Sequence, residues 1–201
     1  MTTLAASFDS QLSTLAPLLF YLIVGGIIFI ETGFFFGFFL PGSSVLLSAG
    51  VVAAAVDGID ITATVLVIVL AAFFGNQVGF VTGRVVGRRY LDKRTSPRIR
   101  KVIISAERFY EKTGWWAVVA ARFIPWVRTF VPPIAGASKM NYYTFLSANI
   151  LGAVLWGGGI SIAGYYTVSI PEIQTFAYAI AGFFIIASVI SGFVNYLRRP
   201  R

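Results

Sequence analysis

Arg122 and Arg128 stand on either side of Pro125 in the stretch RFIPWVRTFVPPIAG, residues 122–136, and one carboxylate, Glu31, ends an apolar run far upstream. A guanidinium stays charged and presents a planar fork that matches phosphate or carboxylate, so two of them kept away from water point to an anion site. Pro125, Pro132, Pro133 and Gly136 break the helix around the arginines and free backbone groups that can add to that site. The chain contains no cysteine and no histidine. Thiolate chemistry, imidazole bases and the commonest zinc ligands are thereby removed, and neither cofactor nor metal is expected. Paired carboxylates suited to acid–base work are missing from the buried stretches. An anion held and moved, without an enzymatic step, is the chemistry these residues suggest.

The elements that must position them are set by lipid. Of 201 residues, 57% are hydrophobic and only 12% charged, half the usual share, and the mean hydropathy is +0.81. Uncharged runs at 61–83, 143–168 and 174–197, with a shorter one at 14–30, each suffice for a bilayer crossing of roughly 20 residues. Residues 1–13 carry no Lys or Arg, so the first apolar run reads as retained rather than as a cleaved signal. The formal charge of +8 is concentrated. Ten basic residues lie between Arg84 and Lys112, the tail adds Arg198, Arg199 and Arg201, and no Lys or Arg precedes Arg84. By the positive-inside rule, the 84–114 loop and both termini are expected in the cytoplasm, with Asp57 and Asp60 outside. Topology alone accounts for the basic loop, so nucleic acid is not expected as a partner; anionic lipid head groups are.

Two uncharged stretches are too broken to be straight crossings. Residues 32–56 contain Pro41, Gly42 and Ser43 among several glycines, and 115–137 contains the prolines named above. Broken backbone at membrane depth persists only where protein or trapped water satisfies it, so both read as re-entrant hairpins. The stretches echo each other: FFLPGSSVLLSAG (38–50) and RFIPWVRTFVPPIAG both run from Phe and an aliphatic residue through Pro to Ala-Gly. Each precedes a crossing with Asn and Gly three apart, Asn76 with Gly79 and Asn149 with Gly152. Charge places the two hairpins on opposite faces, the arrangement of inverted-repeat transporters with a midplane site. The expected architecture is all-α: one polytopic membrane domain, 1–201, with repeat one at about 14–83, the basic loop 84–114 and repeat two at about 115–197.

At membrane depth an arginine costs roughly 2.5–3.5 kcal/mol on insertion scales. Arg122, behind WWAVVAA, is expected to face a partner or an anion; Arg128 can instead snorkel to the interface if its hairpin is shallow. Glu31 is either an outer-interface residue or, if buried, a proton carrier or a partner for an arginine across the hairpins. Gly75, Gly79, Gly83 and Gly87 form a small-residue stripe for close helix packing, with Arg84 at the boundary. Trp115, Trp116 and Trp156 read as interface anchors or packing residues.

The segment FYEKTGWWAVVAARFIPWVRTFVPPIAGASKMNYYTFLSANILGAVLW (109–156), together with Glu31, FLPGSSVLLSAG and GNQVGFVTGRVVG (75–87), resembles the DedA family, also called the VTT or SNARE-associated domain, over about residues 15–197. That resemblance implies a bacterial inner-membrane protein with two opposed re-entrant hairpins, engaged in phospholipid scrambling or in recycling polyprenyl phosphate for envelope synthesis, in some members with proton coupling. It carries the family's membrane acid onto Glu31 and its paired arginines onto Arg122 and Arg128. It departs at Ser43, where many members have an acid after Pro-Gly, so a second titrating carboxylate is in doubt. The expected function is a flippase for polyprenyl phosphate or another anionic phospholipid, with Arg122 and Arg128 holding the phosphate and Glu31 coupling to protons or gating. The competing readings are a proton-coupled small-ion antiporter and a scaffold without transport; a homo-oligomer stays open.

Overall fold

A computed structural model describes residues 2–34, 42–87 and 113–169 of the chain. Pro41, most of the basic loop, the expected crossing at 174–197 and the basic tail lie outside those residues. Helix α1 spans Thr2–Gly33, α2 Gly42–Ala55 and α3 Ile61–Thr82, the last running on through a π-helical turn at Gly83–Gly87. After α4 (113–121) come the short α5 (Pro125–Arg128) and α6 (Val131–Ala137). Helix α7 (Tyr142–Ala153) continues through a second π turn, Val154–Gly158, into α8 (Gly159–Ser169). No strand occurs among the described residues.

Caps start the long helices where the polar signals lie. Asp60 accepts from the Ala63 N–H at 2.8 Å, and Asn141 from those of Tyr143 and Thr144 at 2.9 and 3.3 Å. Three stretches, Leu15–Gly33, Ile61–Gly87 and Tyr142–Val168, are long and apolar enough to cross a membrane, and they coincide with the expected crossings at 14–30, 61–83 and 143–168. Large apolar side chains point outward along them, among them Leu22, Leu66, Leu70 and Phe74, each more than half exposed. Helices apolar on every face belong in lipid.

Contacts fix the relative heights of these rods. The Tyr21 hydroxyl accepts from the Asp60 N–H at 2.9 Å, and Gly33 abuts Gly75 so closely that a Cβ on Gly33 would lie 3.2 Å from the Gly75 Cα. Since Gly75 falls near the middle of the 27-residue stretch Ile61–Gly87, α1 ends halfway along α3. Helix α2 starts at that level and runs back to the turn before α3. Fourteen residues make about 21 Å of helix, too short for a full crossing. Helix α4 begins where the Trp115 indole donates to Ser147 Oγ at 2.9 Å, and reaches the level of Ala72 at Arg122. Helix α6 then leaves beside the second half of α3, Gly79 facing Pro132 and Gly87 facing Ala137. The two short helices therefore depart from the centre in opposite directions. Each return is made by one residue in the left-handed region, Gly58 (φ 87°) and Lys139 (φ 56°).

Two pairs of helices touch backbone to backbone. A Cβ on Gly50 would strike the Ser161 carbonyl, and one on Gly164 would strike that of Leu47. In the same way Gly136 is pressed on the Phe80 carbonyl and Gly83 on that of Pro133. Thus α2 is locked to α8, and α6 to the end of α3, by reciprocal glycine–carbonyl contacts of the kind small residues permit. The apolar core divides accordingly. One cluster joins Val24, Ile28, Leu46, Ile68, Ala72 and Trp156; the other joins Phe80, Val118, Val131, Ala135, Phe145 and Ala148, with Phe80 and Phe145 stacked at 4.2 Å.

Gly136→Ala should destabilise the protein by about 1–3 kcal/mol, the usual cost of forcing atoms into a filled site. Gly26→Ala, which adds a methyl where nothing lies within 4 Å, should be neutral or stabilising. Thermal unfolding of the two purified variants in detergent tests the contrast; equal melting temperatures would contradict the lock.

Candidate functional site

Between the two apolar clusters lies a polar layer, supplied by helix ends rather than helix middles. The last turn of α1 brings Glu31 and Thr32, the first turn of α2 brings Gly42 and Ser43, and α4 and α5 end in Arg122 and Arg128. The long rods contribute Asn76 from α3, Asn149 from α7 and Trp156 from the π turn. Glu31 is 1% exposed and Arg122 3%, while the Arg128 side chain is 10% exposed. Neither arginine snorkels and Glu31 is not an interface residue.

Arg128 is held on three sides. Its Nη2 forms an ion pair with Glu31 Oε1, its Nη1 donates to Ser43 Oγ at 3.1 Å, and its guanidinium carbon lies 4.7 Å from the centre of the Trp156 ring. Salt bridge and cation–π contact both gain strength where water is excluded. Gly42 is pressed against the Glu31 carboxyl, where a Cβ would overlap it, so a larger residue there would push the carboxylate from its present place. Of the alternatives left open for Glu31, the one seen in the structure is an arginine partner from the second broken segment.

Arg122 is held differently. Its Nη2 donates to Asn149 Oδ1 and lies 3.4 Å from the Ala72 carbonyl. The Asn76 amide is satisfied when its oxygen accepts from the same nitrogen at 2.7 Å and its own nitrogen donates to the Thr32 carbonyl at 3.2 Å. Asn149 is fully buried and anchored in turn, its Nδ2 donating to the Phe73 carbonyl at 3.1 Å. Gly152 makes room for the arginine stem, a Cβ there falling 2.8 Å from Arg122 Cδ. The two Asn-x-x-Gly segments thus converge on Arg122, one through its asparagine alone and the other through both residues.

Other expected site residues lie elsewhere. Gly79, Pro132, Pro133 and Gly136 pack α6 onto α3 and stand clear of the guanidinium groups. Arg84 sits over the Phe80 ring at 5.5 Å, away from the layer. Pro125 opens α5, and Pro41 lies outside the described residues. Trp156, read from the sequence as an anchor or packing group, is a packing residue of the core, and it also lies under Arg128, a contact that sequence reasoning missed. A signal existed: it follows Asn149 by seven residues, two helical turns, and so shares its face.

The VTT domain matches residues 16–166. The protein DedA of Escherichia coli is 33% identical over 183 residues, covering 90% of this chain and 84% of that protein. Uncharacterized membrane proteins of Mycobacterium leprae and Mycobacterium tuberculosis are 38% and 40% identical over 149 and 151 residues, 74% of this chain in each case. The chain spans 66% of the length of either mycobacterial protein. No solved structure matches.

Removing one member of a buried ion pair leaves the other unpaired, at a cost of about 3–5 kcal/mol. Glu31→Gln should fall in that range, and the double variant Glu31→Gln/Arg128→Gln should be markedly more stable than the sum of the single losses predicts. Denaturant unfolding of the four proteins gives the coupling; strict additivity would show that the pair contributes nothing.

Proposed function

The chain belongs to the VTT-domain family of membrane proteins, that of the protein DedA, and from there we propose that it translocates a lipid with an anionic phosphate head group, polyprenyl phosphate foremost, across the plasma membrane. The observation that carries this reading is the depth of the guanidinium groups. Two arginines at the level of the middle of α3 cost more than packing alone would warrant. Planar guanidinium forks suit a phosphate, and the outward apolar faces of the rods suit its hydrocarbon tail.

In this proposal α1 with α2, and α4 with α6, act as two re-entrant hairpins entering from opposite faces, their tips meeting at the polar layer. Basic residues from Arg84 onward mark the cytoplasmic face. A phosphate arriving at the layer competes with Glu31 for Arg128, a surrogate already in place for the anion. The displaced carboxylate then needs another partner, and a proton is the smallest that fits a crowded interior. That exchange would make Glu31 the gate and tie lipid movement to proton movement, with no covalent bond made or broken.

The test is lipid translocation in proteoliposomes carrying labelled polyprenyl phosphate. Arg122→Lys and Arg128→Lys keep the charge but lose the fork, and should slow the initial rate at least about 10-fold, the value of one charge-assisted hydrogen bond. Wild-type rates from both folded variants would remove the arginines from the pathway. Ion flux under an imposed pH gradient, with no lipid movement in the wild type, would favour a small-ion antiporter instead.

A further inference from the structure

The two arginines are not equivalent in charge balance. Arg128 has Glu31. Among the described residues Arg122 has oxygen atoms but no carboxylate: Ala72 O, Asn149 Oδ1 and the Asn76 oxygen that meet its Nη2 are all neutral. Its electrostatic partner is Arg128, a charge of the same sign. Among the described residues Asp57 and Asp60 are the nearest alternatives in α3's neighbourhood, and Asp60 caps the start of a helix in which Ala72 comes twelve residues later, about 18 Å along the axis. Ser43, the polar group next to Glu31 on Arg128, carries no charge. Among the described residues the layer therefore holds one positive charge in excess. Arg122 Nε is buried as well and has no hydrogen-bond partner among the described residues. A buried cation in that state is costly unless something negative completes it.

Neutral oxygens gathered around Nη2 are a specific way to hold a guanidinium: they orient it without cancelling its charge. Asn149 does most of this, since it is fully buried and tied to the Phe73 carbonyl. We infer that Asn149 is a positioning residue which holds Arg122 while leaving its charge uncompensated, and that the ligand completing the site is a phosphate of net negative charge rather than a zwitterionic head group. This rests on the lipid-phosphate reading of the same site. A carboxylate at position 149 would take the place of the ligand: aspartate is nearly the same shape, accepts from Arg122 and brings the missing charge from within the chain, at the loss of the bond that the Asn149 amide donates to the Phe73 carbonyl. Stability and binding should then part company, which a purely structural asparagine would not produce.

The experiment uses the purified full chain in detergent, with farnesyl phosphate as the probe and farnesol, inorganic phosphate and phosphatidylcholine beside it, read by melting temperature and by titration. Wild type should be stabilised by farnesyl phosphate and not by farnesol or phosphatidylcholine; an equal response to phosphatidylcholine overturns the inference without recourse to any variant. A response to inorganic phosphate as large as that to farnesyl phosphate assigns the same charge site to the free anion instead of the lipid. Asn149→Asp, in which a new ion pair with Arg122 offsets the lost bond to the Phe73 carbonyl, should melt near the wild-type temperature and bind farnesyl phosphate at least about 10-fold more weakly. Undiminished binding by a folded Asn149→Asp protein overturns the inference. Asn76→Asp, which brings a carboxylate to the same Arg122 nitrogen from α3, gives the same readout if the first variant folds poorly. Should wild type bind farnesyl phosphate but leave it on one side of a vesicle, the transport reading fails and the charge assignment stands. If lipid crosses the membrane and Asn149→Asp binds normally, the reverse holds.

Discussion

A guanidinium cannot shed its charge to suit an apolar environment. Whatever carries it inward must bring oxygen or aromatic faces to meet it there, and the described parts of this fold can be understood as the means of doing so. Oxygens come from a carboxylate, a hydroxyl, two amides and one main-chain carbonyl, on four different helices. No single helix could supply them, because a continuous helix uses its own carbonyls and points its side chains outward in fixed directions. Helices that stop halfway along their neighbours solve the difficulty. Their ends place Glu31, Ser43, Arg122 and Arg128 in one layer, and the uninterrupted rods beside them add Asn76, Asn149 and Trp156.

Stopping a helix inside an apolar shell exposes main-chain groups, and glycine limits the resulting cost by allowing close approach. Gly33 against Gly75 and Gly42 against Glu31 let α1 and α2 end and begin within van der Waals reach of the charges they serve. The two π turns, at Gly83–Gly87 and Val154–Gly158, fall in the two rods that the short helices pack against, and the second carries the Trp156 ring. Wide turns of this kind shift the side chains that follow out of ordinary helical register. Structural economy and site construction thus draw on the same few residues.

Much of the scaffold could be read before any coordinates. Long uncharged runs gave three of the rods nearly to the residue, because lipid thickness leaves little choice of length. Arg122 and Arg128 stood out because their type contradicts their surroundings. Glu31 and Arg128 are 97 residues apart, and nothing in a helix that is apolar on every face says which side meets a neighbour, so their pairing had to be seen. The contact of Trp156 with Arg128 was hidden for the same reason. The depth at which α1 ends was hidden too, being set by one contact between Gly33 and Gly75. Even the internal echo was half legible: the Ala-Gly pairs at 49–50 and 135–136 do end in glycines that make matching contacts, whereas Asn76 and Asn149 meet at one arginine instead of occupying matching places.

The glycine–carbonyl contacts also decide which parts can travel together. Helix α2, from the first half of the chain, is fastened to α8 of the second, and α6 of the second is fastened to the tail of α3 in the first. Swinging the N-terminal half against the C-terminal half as two blocks would tear both fastenings at once. Arg128 lies between these fastenings, with Ser43 of α2 on one flank and its own covalent link to α6 on the other. In mechanical terms the chain's halves are clasped like crossed forearms, each held by the other at a point far away along the sequence.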